Sequence, residues 1–392
     1  MRILVVSPRV PEPSAKGDQV LSFYRVSHLS RCHDVELICF GSKVDDEVSI
    51  GRLEAIGVRV KIIPFGKVNA IARALIACFD PSMPLQCAIF YSKHFKSEVR
   101  RSLVRHTPDI VYAVTIRGLE NLVDYEGPLF VDMVDSMALN FSRRIRLSTG
   151  VKRWLLKFEF QRVRDYERNT AQRAVRSYVV SNIDEEAVAS DRVSTIPLGI
   201  DENIFYRISE VQKEPTLIFT GNMSYQPNVD AVLWFYENCW DALKSELPSL
   251  RLVVAGRSPT SGVLELGSEP MITVTGSVPE IAPLINSALV AIAPMQSGSG
   301  MQFKILEAMA CGVPVVANTI GLGDIKAIPG KDLLIGDTPD EFIKSIIDLI
   351  QSNDFRNRIG QAGLRYVSSH HTWERVNATF EDSIINEMHK IA

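Results

Sequence analysis

The stretch Pro294-Met295-Gln296-Ser297-Gly298-Ser299-Gly300-Met301-Gln302-Phe303-Lys304-Ile305-Leu306-Glu307-Ala308-Met309-Ala310-Cys311-Gly312-Val313-Pro314-Val315-Val316 reads as the exit of a strand, a loop of small residues, a short helix, a tight turn and a second strand. Gly298, Ser299 and Gly300 leave the backbone open where the helix begins. Free N–H groups and the positive end of the helix dipole favour a phosphate at such a place. Lys304 falls in the first helical turn, where the dipole disfavours a cation by about 0.3–1 kcal/mol unless an anion is present. Glu307 lies three residues further on and shares its face. The plain alternative is a glycine loop beside a surface Lys–Glu pair.

The same alternation extends to both sides. Apolar runs rich in Val and Ile occur at 3–6, 35–40, 58–63, 109–114, 129–134 and 177–180, and again at 216–220, 251–255, 272–275, 288–293, 313–317 and 333–335. They lack a clean polar–apolar alternation, as parallel strands buried on both faces do. Helical stretches such as 18–30, 229–247 and 340–351 fill the gaps. The expectation is an α/β protein of two Rossmann-like, doubly wound domains facing a cleft at the carboxyl ends of their strands. The most polar join, 201–215, sets the boundary. This gives domains at 1–200 and 201–370, with a last helix at 371–392.

The 392 residues suffice for two cores. A net charge of −3 excludes a bulk polyanion binder, so no nucleic-acid partner is expected. Six scattered cysteines form no C-x-x-C and no metal spacing, which fits reduced, buried thiols. The apolar start at 3–6 is too short for a signal peptide, and no run reaches membrane-span length. The expected location is the cytoplasm. Segment 143–176 carries eleven basic residues against three acidic ones. Leu147, Val151, Trp154, Leu155 and Phe158 recur in it at helical spacing. It reads either as an amphipathic helix lying on the anionic inner face of the cell membrane or as a helix packing its apolar stripe on its own sheet.

The ending Lys304 to Val316 resembles the nucleotide-sugar signature of GT-B glycosyltransferases of retaining family four. The resemblance continues in Val254-Ala255-Gly256-Arg257, in Val274-Thr275-Gly276-Ser277-Val278 and in Thr195-Ile196-Pro197-Leu198-Gly199-Ile200-Asp201. The stretches Arg9 to Asp18 and Gly221 to Asn228 resemble the sugar transferases of exopolysaccharide (PEP-CTERM-associated) loci. The resemblance implies a retaining, metal-independent hexosyltransferase for bacterial surface polysaccharide or glycoconjugate. Its donor would be a nucleoside diphosphate sugar, used as co-substrate with no cofactor, and its acceptor a glycan or lipid-linked sugar.

It also implies that the domain at 1–200 binds the acceptor, that the domain at 201–370 binds the nucleotide sugar and that the helix at 371–392 crosses back to the first domain, and it assigns residues. Glu307 would hold the donor ribose, and Gly221, Asn222, Ser299, Gly300, Met301 and Gln302 would line the donor site. Two positions depart from the pattern. Ser299 stands where the family has a second Glu, eight residues before the first. The loop after the second domain's first strand offers Asn222 and Pro227 in place of an Arg and a Lys, so Arg257 and Lys304 are the replacement cations for the diphosphate. On the acceptor side lie Lys16, Gly17 and Asp18, with an ordinary turn capped by Asp18 as the alternative. Asp135 and Ser136 follow a strand's carboxyl end, where Asp135 would orient a hydroxyl or help a proton leave. Asp135, Lys304 and Gly17 are the candidate catalytic positions. No Asp-x-Asp, zinc spacing or Walker A loop occurs, so no metal is expected. Competing readings are a nucleotide-sugar epimerase or NAD enzyme, disfavoured by the lack of G-x-G-x-x-G after the first strand, and a non-catalytic partner on the same fold.

Overall fold

The computed structural model describes the chain except residues 14–16, 81, 147, 209, 210, 212, 213, 298–300 and 392, with backbone alone for 67–69. Seven runs form one parallel sheet: β1 (Arg2–Ser7), β2 (Asp34–Phe40), β3 (Arg59–Ile63), β4 (Ile110–Val114), β5 (Leu129–Val134), β6 (Arg176–Val179) and β7 (Val193–Thr195). Its order is β3-β2-β1-β4-β5-β6-β7. Six more form a second parallel sheet: β8 (Thr216–Thr220), β9 (Arg251–Ala255), β10 (Ile272–Gly276), β11 (Val290–Ala293), β12 (Val315–Ala317) and β13 (Leu334–Ile335). Its order is β10-β9-β8-β11-β12-β13. Every residue of β4 and β5 is buried, while the edge strand β3 is buried only at Ile63, so the apolar runs mark two-sided burial. In each sheet the winding reverses beside the first strand, between β1 and β4 and between β8 and β11. A crevice opens at the carboxyl ends of such a pair. The fold is the expected pair of doubly wound α/β units.

The chain divides into one unit of Met1–Leu198 with Val376–Ala392 and another of Gly199–Arg375. The helical run expected over 229–247 is instead Gln226–Phe235, a π-turn at Tyr236–Trp240, and Asp241–Glu246. β7, only three residues long, was not expected as a strand.

The helix Trp373–Ile391 seals one face of the first sheet. Phe380 is fully buried, with Tyr178 edge-on at 4.9 Å and Tyr112 tilted at 5.2 Å. The Arg25 guanidinium lies 4.0 Å from the Phe380 ring centroid, and its Nε is 2.8 Å from Asp132 Oδ2. Asp132 also accepts from Tyr112 Oη (3.2 Å) and from the Val134 amide (3.0 Å). Burial pushes the Asp132 carboxyl up, and Arg25 opposes that shift. The pair thus couples the last helix to the end of β5.

Removing one partner of a fully buried pair strands a charge, at about 3–5 kcal/mol. Arg25→Met should therefore lower the stability of the first unit by that order in chemical denaturation. Arg25→Met with Asp132→Asn should recover much of it, because Asn keeps the carbonyl oxygen that the Val134 amide needs. A double variant no more stable than the single one would contradict this.

Candidate functional site

The donor-side residues converge in the second unit at the β8/β11 reversal. A cavity of about 620 Å³ opens there, walled by the loops after β8, β9 and β10 and by the first turn of the helix Phe303–Ala310. The loops are stitched by backbone bonds: the Gly221 amide to the Ala255 carbonyl (3.0 Å), Met223 to Arg257 (2.9 Å) and Gly256 to Gly276 (3.2 Å). Gly256, at φ 151°, is the tightest point. A Cβ there would sit 1.6 Å from the Gly221 carbonyl oxygen, so no other residue fits without moving the wall.

Lys304 is largely buried in this wall. Its Nζ donates to Asn228 Oδ1 (2.9 Å) and Gln302 Oε1 (3.0 Å) and lies 5.2 Å from the Phe219 ring centroid. Asn228 in turn donates to the Asn222 carbonyl at 3.0 Å. One buried amide therefore ties the loop after β8 to the Lys304 helix. Burial pushes the Lys304 ammonium down to about 8, with Glu307 opposing the shift. Burial pushes the Glu307 carboxyl up to about 7, and Lys304 pulls it back. Glu307 accepts no hydrogen bond from a described residue. The exposed Lys–Glu surface pair is not what forms. Lys304 turns to Asn228 and Gln302, and Glu307 faces the cavity alone. Arg257 is exposed at the rim, and its guanidinium bonds no described residue.

Gly221, Asn222, Arg257, Met301, Gln302, Lys304 and Glu307 all line this cavity. Ser299 and Gly300 lie outside the described residues. The sequence reading missed Tyr225, Asn228, Ser277, Val278 and Ile281 as lining. Tyr225, Asn228, Ser277 and Val278 stood inside the stretches that carried the resemblance. Ile281 carried no signal.

The acceptor-side candidates lie in the first unit. Lys16 is outside the described residues. Gly17, exposed at φ 57° and ψ −120°, caps the helix Asp18–Leu29; a side chain there has room but a strained backbone. Asp18 is the first helical residue rather than the cap, and it pairs with Arg9 (3.4 Å) and Arg117 (3.7 Å).

Asp135 follows a strained turn. Val134, a β-branched residue, sits at φ 68°, and the Asp135 amide donates to the Met133 carbonyl at 2.9 Å across it. Such a γ-turn with positive φ is rare and clusters at functional sites. Asp135 reaches solvent and accepts from Asn140 Nδ2 (2.7 Å). Partial burial raises its carboxyl and Asp184 adds to that, while Asn140 and Arg117 oppose it. Ser136 is buried, and its hydroxyl donates to Glu167 Oε2 at 3.0 Å. Glu167 also accepts from the Met137 amide at 2.6 Å, so Ser136 is committed to starting the helix Met137–Arg146 rather than to an acceptor.

Residues 214–352 match the family described as "Glycosyl transferases group 1". The chain is 36% identical over 104 residues to glycosyltransferase 1 domain-containing protein 1 of Xenopus tropicalis, a match covering 26% of this chain and 28% of that relative's length. Among solved structures, sucrose-phosphate synthase of Thermosynechococcus elongatus superposes with a TM-score of 0.69 at 13% identity, covering 100% of both chains. The Anabaena protein HepE in complex with UDP superposes with a TM-score of 0.66 at 14% identity, covering 98% of this chain and 100% of that one. The architecture described above is thus that of the GT-B glycosyltransferases, and the second unit carries the family match.

Proposed function

We propose that the chain is a glycosyltransferase that moves a hexose from a nucleoside diphosphate sugar to a glycan or lipid-linked acceptor, with retention of configuration. Its setting would be bacterial surface polysaccharide or glycoconjugate synthesis. One observation carries the reading: a largely buried carboxylate with no hydrogen-bond donor among the described residues, Glu307, and a largely buried ammonium, Lys304, face one cavity at the reversal of a doubly wound sheet. Each is costly in the empty protein. A ribose diol satisfies the first and a diphosphate the second. The likeness to the UDP-bound Anabaena structure and the family match over 214–352 support the same assignment.

Chemistry would rest on positioning and on charge. Lys304, Arg257 and the start of the Phe303–Ala310 helix would stabilise the departing diphosphate without a metal. Asp135 would orient the acceptor hydroxyl and assist its proton. Release of nucleoside diphosphate from a matched donor, surviving chelator, tests the reading; a protein that binds and turns over none of a full donor panel overturns it.

Charge-assisted hydrogen bonds contribute roughly 1.5–3 kcal/mol each, so Glu307→Gln should weaken nucleoside diphosphate binding by about 10- to 150-fold in calorimetric titration. The same change should leave the apo melting temperature unchanged or raised, because a strained buried carboxyl is removed. Undiminished binding would refute the first half, and a lowered melting temperature the second.

The pH dependence follows from the same two groups. Glu307 becomes an acceptor as pH rises through about 7, and Lys304 loses its charge as pH passes about 8. kcat/KM should therefore be bell-shaped with limbs near these values, which belong to the coupled pair. Lys304→Arg should push the alkaline limb out of range. An unshifted alkaline limb in that variant would count against Lys304 as its source.

A further inference from the structure

The stripe at 151–158 does not pack on the sheet. Val151, Trp154, Leu155 and Phe158 are exposed along the helix Gly150–Arg173, Trp154 at 65%, and Trp154 stacks on Phe158 at a centroid distance of 6.2 Å. Leu147 lies outside the described residues. A second helix, Lys67–Ala77, exposes Ile71, Leu75 and Ile76, and Phe79 beyond it is 91% exposed. The two faces adjoin. Arg162 stacks its guanidinium 4.2 Å from the Phe158 ring centroid and donates to the carbonyls of Ala77 (2.9 Å) and Cys78 (3.1 Å), just before Phe79.

The charges around this apolar face are predominantly positive. Segments 55–79 and 136–158 contain no Asp or Glu, yet hold Arg73, Arg143, Arg144, Arg146, Lys152, Arg153 and Lys157, while Arg59 and Lys61 are paired with Asp34 and Glu98. Ile76 also lines a groove of about 640 Å³ whose wall includes Arg73, Lys93 and His94. Asp80, which lines it too, is turned onto Ser82, accepting from its amide (2.9 Å) and its hydroxyl (2.7 Å). Glu159 is buried and accepts from the Leu85 amide at 2.7 Å. The whole chain is at −3, so the positive charge is local.

We infer that this composite face, made by the Lys67–Ala77 helix with Phe79 and by the amino-terminal half of the Gly150–Arg173 helix, docks on an anionic lipid surface. Aromatic and aliphatic side chains enter the headgroup boundary while the surrounding Lys and Arg meet lipid phosphates. No described helix is long and apolar enough to cross a membrane, so the contact lies on the surface. Self-association is disfavoured by the same charges, since a two-fold interface would set Arg against Arg. The inference stands on this surface alone and does not depend on the transferase reading, although it gives that enzyme a lipid-borne acceptor within reach.

Co-sedimentation of the full chain with phosphatidylcholine vesicles, alone or containing phosphatidylglycerol, tests it without any sugar donor. The protein should pellet with the anionic vesicles, progressively less as salt rises. Arg143→Gln, Arg144→Gln, Lys152→Gln and Arg153→Gln together should reduce that partitioning by about 100-fold or more. Ile76→Ser, Phe79→Ser and Trp154→Ser should weaken it while leaving the circular-dichroism melt unchanged, because these side chains support no core. Equal binding to neutral and anionic vesicles, or a monomer that binds neither, overturns the inference. So does a solution dimer that Phe79→Ser splits, which would make the face a protein interface.

Discussion

A single buried amide, Asn228, holds the donor side together. It receives the Lys304 ammonium and donates to the Asn222 carbonyl, so the helix that begins at Phe303 and the loop that follows β8 cannot move apart without losing both bonds. The constraint is electrostatic as well as geometric. An ammonium near the start of a helix, in a largely dry wall, is held against desolvation and against the dipole. Its hydrogen-bond acceptors among the described residues, Asn228 and Gln302, are neutral, and Glu307 offsets only part of that cost. An anion in the cavity would supply what they lack. The Gly256–Gly221 contact serves the same end from the other wall, since the loops after β8 and β9 come as close as they do only because Gly256 has no side chain.

The first unit repeats the logic with different parts. Arg25 and Asp132 are fully buried, and Asp132 also binds the Val134 amide within the strained turn that presents Asp135. The last helix, through Phe380, covers the guanidinium. The turn is therefore held by the core behind it rather than by its own preferences, which is the condition under which a β-branched residue persists at positive φ. The exposed Asp135 is the visible end of a chain of contacts that begins on the carboxy-terminal helix.

Most of the fold was legible because two-sided burial writes itself as continuous Val/Ile runs. β5, β8 and β9 have the bounds read from sequence, and the other runs match to within a few residues. β7 was too short to stand out, and the π-turn at Tyr236–Trp240 shifts a helical register without changing its composition. The cavity at the β8/β11 reversal was legible through glycines and through Lys304 and Glu307, which all border it. The partners of Lys304 were not, because Asn228 lies 76 positions away and its contact exists only once the sheet has formed. Ser136 carried the signal of a strand end but serves as a helix start, and only the long-range position of Glu167 reveals that. The stripe at 151–158 had the period of a packed helix. Whether such a stripe meets a sheet or solvent depends on where the helix is anchored, which Leu156, buried on the opposite face, and Arg162, further along the chain, decide.

The most direct measurement is a crystal structure of the second unit's cavity filled by a nucleoside diphosphate, obtained on the full chain. The ribose hydroxyls should lie within hydrogen-bond reach of the Glu307 carboxylate, with the diphosphate between Lys304 Nζ, the Arg257 guanidinium and the first amides of the Phe303–Ala310 helix. A nucleotide seated elsewhere, or one in this cavity with its ribose turned from Glu307 and its phosphates in solvent, would contradict that assignment.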